Sequence, residues 1–317
     1  MADEVTTTSV DNIINSEWIQ PAFQAYAAPW LVATKFLKEY DLQGKGSATV
    51  AVPSIVSQLG DPSDGGSSVD TEFNAAEATD LSNTAMTLTE ATISTSEYGV
   101  MRELTDAAVE DTVDGFDLIS EIANDNARIL ATALEDDVVA LFTSFTNTVG
   151  ANLVDMTLAN LDSAIIGIRT RGVRAPDGLV AVLDDEQADN FEVAVTASNS
   201  AQAIYDNTAD RFMDIQRDLN NGLTDGRFAR YKSTNLYMTG LCDTGNTGDD
   251  VVGGVFVPDT PGNTRMAAMG IAWSRRFRVR AQRDEKSRSV ELVATQRAGV
   301  SILLNVAGTA VITDGPS

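Results

Sequence analysis

Three acidic side chains in a row, Asp184, Asp185 and Glu186, follow the apolar run GLVAVL and precede Gln187. Adjacent carboxylates are raw material for general acid–base chemistry, since one can hold a proton that its neighbour has released. The same residues also start a helix. Asp184 is a good N-cap, Gln187 three positions on completes a capping box, and Asp185 and Glu186 suit the positive helix end. Capping is the reading adopted, because no nucleophile or base is paired with them. The chain has no histidine among its 317 residues, which removes His-based triads, histidine metal sites and the commonest general base together. No catalytic residue, cofactor or metal is expected. A histidine-free acidic hydrolase using Asp184, Asp185 or Glu186 is the alternative from the enzyme class.

Other candidate motifs lead the same way. GKGS (44–47) resembles a fragment of a phosphate loop, but it lacks the leading glycine and a strand pattern follows it where a helix is required. DPSDGGSSVD (61–70) and CDTGNTGDD (242–250) offer oxygen ligands without EF-hand spacing, and are read as solvated loop tips. The single cysteine, Cys242, has no partner for an internal disulfide. RRFRVRAQR (275–283) is the one concentrated basic stripe. Strand periodicity puts Arg276, Arg278 and Arg280 on one face and Phe277, Val279 and Ala281 on the other. Phosphate contact is conceivable there, but carboxylates are more abundant, so salt bridging is preferred.

Stepping along the chain, FDLISEIANDNARILATALEDDVVALFTSF (116–145) reads as one long helix. Phe116, Ile119, Ala123, Ala127, Leu130, Leu134, Val138, Leu141 and Phe145 recur every three or four residues, and no proline or glycine interrupts them. Asp117, Glu121, Asp125, Arg128, Glu135 and Asp136 are placed on the outer face, and the rod spans roughly 45 Å. Before it, GSATVAVPSIV (46–56) and TAMTLTEATISTSEYG (84–99) alternate as strands of a hairpin with a long polar tip. Residues 1–46 form an arm in which Trp18, Phe23, Tyr26, Trp30, Leu31 and Phe36 are interrupted by Pro21 and Pro29, leaving room for short helices. After the rod, TLANLDSAIIGIRTRG (157–172) has helical spacing, GLVAVLDDEQADNF (178–191) a strand entering a helix, GNTGDDVVGG (245–254) a Gly-rich loop, and the C-terminal stretch a hairpin turning at DEKS.

The net charge is −24, and residues 1–150 hold 5 Lys+Arg against 25 Asp+Glu, so most of it is N-terminal. No apolar run reaches the length of a membrane span, and MADEVTTTSVDN is acidic where an export signal would be basic, so a soluble protein made in the cytoplasm is expected.

Taken in order, these segments resemble a tailed-phage major capsid protein with the Hong Kong 97-like fold. The resemblance rests on KGSATVAVPSI, NDNARILATALEDDVVALF, NGLTDGRFARYKSTNLYM and RVRAQRDEKSRSVELVATQRAGVSILL. It implies an α+β fold with an N-terminal arm (1–46), an extended β-hairpin loop (47–99), a peripheral domain holding the spine helix (100–149), an α/β axial domain (150–270) and closing strands (271–317). It also implies homo-oligomeric pentamers and hexamers in a viral head assembled in the host cytoplasm around double-stranded DNA that is not specifically bound. Portal and decoration proteins are the further partners of such a shell. A start close to the arm points to a separate scaffolding protein. The absence of lysine from residues 46–99 departs from relatives that cross-link this loop. An encapsulin-type compartment and a surface-layer protein are the other shell-like readings. The residues expected at subunit contacts are Arg276, Arg278 and Arg280, with Glu121, Asp125, Glu135 and Asp136 as carboxylate partners on the spine helix or a neighbour's loop, and the arm aromatics Trp18 and Trp30.

Overall fold

The computed structural model describes residue 27 and residues 30–55, 88–111, 115–173, 175–198, 227–245, 250–262, 266–284 and 286–315. Trp18, the hairpin tip and the first part of NGLTDGRFARYKSTNLYM lie outside the described residues.

In chain order the strands are β1 (Lys38–Asp41), β2 (Thr49–Ile55), β3 (Leu88–Ser94), β4 (Ser96–Thr105), β5 (Thr148–Gly150), β6 (Leu179–Leu183) and β7 (Arg227–Tyr231). They continue with β8 (Thr234–Met238), β9 (Asp243–Gly245), β10 (Asp250–Phe256), β11 (Met269–Asp284), β12 (Ser289–Ile302) and β13 (Gly308–Asp314). The helices are α1 (Asp106–Asp111), α2 (Gly115–Ala140), α3 (Leu158–Thr170) and α4 (Asp185–Ser198).

A four-stranded sheet runs β1-β11-β12-β4, and a larger sheet runs β5-β13-β10-β6-β8-β7 with β9 also on β10. The four-stranded sheet therefore joins residues of the arm, the chain just after the hairpin and the closing strands. Its alternation is clean on β12, where Leu292, Ala294, Gln296 and Ala298 are buried and Glu291, Val293, Thr295 and Arg297 are not. Helix α2 covers the buried face. Gln296 Nε2 donates to the Leu130 carbonyl at 2.8 Å, Arg102 reaches Asp125 at 2.8 Å, and the Tyr98 hydroxyl bonds to the Asp137 carboxylate.

The expected helical stripe is buried at Ala123, Ala127, Leu130, Leu134, Val138 and Phe145. Two details differ from expectation. The α-helix ends at Ala140 after 26 residues and tightens into a 3-10 turn over Leu141–Ser144, so the α-helical rod is about 39 Å long. Tightening turns Phe142 against Phe256, with ring centroids 5.8 Å apart, and carries Phe145 after it. Glu135, placed on the outer face by periodicity, is fully buried, because the arm folds over that side of the helix.

The hairpin stem pairs β2 with β3 antiparallel, Thr49 opposite Ser94 and Ile55 opposite Leu88. The run read as one strand over 84–99 breaks at Thr95, and β4 crosses into the four-stranded sheet. The arm, read as short helices, has a 3-10 turn at Ala33–Phe36 and then contributes β1 parallel to β11. Residues 250–254, read as part of a Gly-rich loop, are instead a buried strand at the centre of the larger sheet. Two glycines there serve contact, not flexibility. A Cβ on Gly253 would collide with Gln187 Oε1, and one on Gly254 would lie 2.6 Å from the Phe142 ring.

That geometry separates two glycine substitutions. Gly254→Ala should destabilise the protein by about 1–3 kcal/mol, because the Phe142 ring has to move in a packed core. Gly167→Ala, inside α3 and with no neighbour nearer than Arg171 Nη2 at 3.8 Å, should be neutral or stabilising by up to about 1 kcal/mol. Urea unfolding of the two variants checks the contrast, and equal midpoints would refute it.

Candidate assembly surfaces

The acidic triplet is engaged in capping. Asp184 Oδ1 accepts from the Glu186 N–H at 3.1 Å, and Gln187 Oε1 accepts from the Asp184 N–H at 3.2 Å. Gln187 then uses its amide to tie the helix to the sheet, donating to the Val251 and Val311 carbonyls and to Thr313 Oγ1 at 2.8 Å. Burial raises the Asp184 pKa first, with a smaller push from Asp185. For Glu186, partial desolvation comes first, followed by the charges of Asp314, Asp184, Asp155 and Asp189. These carboxylates repel one another around a helix start, and no nucleophile stands among them. GKGS lies between β1 and β2, with Gly44 and Gly46 both at positive φ and a strand following. Among the described residues no three Cys, Asp or Glu side chains are grouped to hold a metal ion.

Arg276, Arg278 and Arg280 are all exposed, with Phe277 and Val279 buried between them. Their partners are not those expected within the chain. A one-residue bulge sets Arg275 opposite Arg297 but Arg278 opposite Thr295, and at this irregularity Arg276 pairs with Glu39 of β1 at 2.7 Å while lying over the Trp273 ring. Arg278 and Arg280 have no ion pair among the described residues. They cannot reach the spine carboxylates of their own chain, since α2 packs on the opposite face of the sheet.

The spine carboxylates themselves divide. Glu121 and Asp136 are exposed. Asp125 pairs at 2.8 Å with both Arg102 and Arg128. Arg128 in turn sits 5.8 Å from the ring centroid of Trp30, which is 45% exposed, so the arm residue lies against the helix. Glu135 is withdrawn from any neighbour. Its carboxylate accepts from the Ala33 N–H, from the Thr34 N–H at 3.2 Å and from the Thr34 hydroxyl at 2.7 Å, capping the arm's 3-10 turn.

Register across the sheet shows what residue-by-residue reading of the stripe omitted. Arg278 lies opposite Thr295 and then Gly99, Arg280 opposite Val293 and then Met101, and Arg297 opposite Glu97. Arg297 and Met101, the latter 60% exposed, thus share the outer face with Arg278 and Arg280. The signal was present in VELVATQRAGV, whose alternation puts Arg297 two steps from Val293.

With two sheets, a bracing helix and a hairpin stem in place, the architecture aligns with solved viral shells. The head structure of Helicobacter pylori bacteriophage KHP40 matches with a TM-score of 0.60 at 10% identity, over 91% of this chain and 90% of that one. The chain has the fold of a tailed-phage capsid protein. The capsid of Ralstonia phage GP4 matches with a TM-score of 0.59 at 9% identity, over 92% and 91% of the two chains. The capsid of cyanophage P-SCSP1u gives 0.58 at 13% identity, covering 90% of each. No protein-family model and no curated protein matches the sequence. The capsid fold is therefore carried here by layout and burial pattern at sequence identities where few side chains coincide.

Glu135 supplies a test of how the arm is held. Burial raises its pKa from the ordinary 4.5, against the opposing pull of hydrogen bonds from Ala33, Thr34 and Val32. With the folded value above the unfolded one, the proton-linked part of its stabilisation is fully present below the unfolded value and is lost as pH rises through the folded one. The stability difference between wild type and Glu135→Gln should therefore fall as pH rises from the ordinary glutamate range; urea titrations giving a pH-independent difference would refute this. Glu135→Ala, which orphans the Ala33 and Thr34 N–H groups, should cost about 1–3 kcal/mol for each.

Proposed function

We propose that this chain is a major capsid subunit that assembles into the closed icosahedral head of a tailed double-stranded DNA virus and encloses the genome. The observation that carries the reading is the alignment with phage shells over nine-tenths of both chains, without a large unmatched domain on either side. In this reading the four-stranded sheet with α2 is the peripheral domain, the larger sheet the axial domain, and β2–β3 the stem of the extended loop. Pentamers and hexamers close the shell in the host cytoplasm, with a separate scaffold and a portal as partners, and the finished particle is the virion. The phage-head relatives favour a genome container over a cargo compartment. The acid excess of the chain suits a lining that repels phosphate, which lets DNA move during packaging and release.

Two outcomes are expected. Electron microscopy of the chain expressed with its scaffold should show closed shells, and sedimentation giving only monomers and dimers at every salt concentration would refute the assignment. Deleting residues 58–82, which hold few apolar side chains, should leave a folded subunit that no longer closes shells. Loss of the cooperative unfolding transition in that deletion would instead place the segment within the subunit core.

A further inference from the structure

The stretch CDTGNTGDD (242–250), which reads as a solvated loop tip, ends on a residue that solvent does not reach. Asp250 opens β10, is 1% exposed, and has no ion pair among the described residues. One of its carboxylate oxygens, Oδ1, accepts from the Leu153 N–H at 2.8 Å, while the other, Oδ2, is buried with no hydrogen-bond partner there. A buried carboxylate oxygen with neither donor nor cation is costly. Its cross-strand neighbour adds to the cost. Asp314 lies directly opposite on β13, so the two side chains leave the same face of the sheet with Cβ atoms about 4.5–5.5 Å apart, and like charges placed in this way repel.

The segment between β5 and α3 closes over this pair. Leu153, at a left-handed φ of 58°, gives its N–H to Asp250, and the next carbonyl, that of Val154, accepts from the Asp314 N–H at 3.0 Å. Asp155 follows and is exposed at the rim. The rim is acidic beyond it as well, since after partial desolvation the charges of Asp314, Asp184, Asp155 and Asp189 are what raise the Glu186 pKa. Asp314 is only half-buried, so the pair can be approached from solvent past its side chain. One end of the larger sheet thus gathers carboxylates around a buried, unpartnered oxygen.

We propose that Asp250 and Asp314 bind a calcium ion that fastens the 151–156 segment to the end of the larger sheet. Because no three carboxylates are grouped among the described residues, the chain supplies two acidic ligands, and solvent with backbone carbonyls supplies the rest. Calcium accepts about 6–8 oxygens in irregular geometry, whereas magnesium demands a near-ideal octahedron, so the larger ion fits such a mixed set. The ion meets both costs together, giving Asp250 Oδ2 a partner and placing positive charge between two like charges. Asp155, Asp184 and Glu186 raise the local concentration of cations without coordinating them. The site goes beyond the shell reading and does not depend on it, since it needs neither a second copy nor a genome.

Calcium alone is the probe. Calorimetric titration of the chelator-treated full chain with CaCl2 should show one site per chain with a dissociation constant on the order of 10⁻⁴–10⁻³ M. Asp250→Asn and Asp314→Asn should each weaken that binding about tenfold or more, because each removes one of two charged ligands. Calcium should raise the urea midpoint of the wild type and of neither variant. Glu90→Gln, an exposed substitution on the hairpin stem, should bind as the wild type does. Absence of a site in the wild type overturns the proposal. Equal weakening by all three substitutions, or a midpoint rise matched by NaCl at the same ionic strength, also overturns it, since either result means counter-ions spread over an acidic surface. If Asp250→Asn does not fold, Asp314→Asn at the half-buried position carries the test, and calcium affinity equal to that of the wild type overturns the proposal.

Discussion

Everything in this fold depends on one helix having to satisfy two sheets with a single buried stripe. Along most of α2 the stripe is narrow and small, with Ala123, Ala127 and Ala131 buried near Leu130 and Leu134. Small side chains let the helix lie close to the four-stranded sheet, where Ala294 and Ala298 answer them from β12. At its end the demand changes, because the larger sheet stands beyond reach of an alanine. Phe142 and Phe145 bridge that distance, and Gly254 and Gly308 clear the space beneath their rings. A helix with uniform side chains could seat on one sheet but not on both.

The same seam explains where polar groups are buried. Gln296 spends its amide on the Leu130 carbonyl, and Gln187 spends its own on two strands of the other sheet. Each is an uncharged side chain tying a helix to a sheet through backbone acceptors, which costs less to bury than an ion pair. Glu135, like Asp184 and Asp250, is instead a carboxylate buried without an ion pair among the described residues. It persists because the start of a 3-10 turn presents unpaired N–H groups that need an acceptor. The arm is thus seated by a cap rather than by apolar area alone, and Trp30 over Arg128 adds a second, exposed point of attachment.

Much of the fold was legible because its periodicities are local. The stripe of α2, the capping box at Asp184 and Gln187, the hairpin strands and the alternation about Phe277 and Val279 all follow from residues a few positions apart, and the structure has them. What could not be read were features decided by distant partners. Glu135 looks solvent-facing on a helical wheel until the arm, about a hundred residues earlier, is folded over it. Gly253 and Gly254 look like loop glycines until Gln187 and Phe142 are placed above them. The arginine stripe was visible, but its membership was not. A bulge diverted Arg276, and pairing with β12 brought in Arg297, which local spacing in β11 alone does not include.

Electrostatics then sets where two such molecules can approach. A net charge of −24 makes copies repel at long range, yet at physiological salt that repulsion is screened beyond about 8 Å. Within that distance the total charge matters less than the local pattern, and a contact forms where opposite signs face each other. On the described outer face of the four-stranded sheet Arg278, Arg280 and Arg297 alternate with Glu97, Glu103 and Glu291, with exposed Met101 beside them. Individual exposed pairs there are worth only about 0–1 kcal/mol. In the proposed shell, weakness of that order is an advantage, because a contact repeated around a closed particle multiplies small energies while each remains reversible enough for a misplaced subunit to leave before closure.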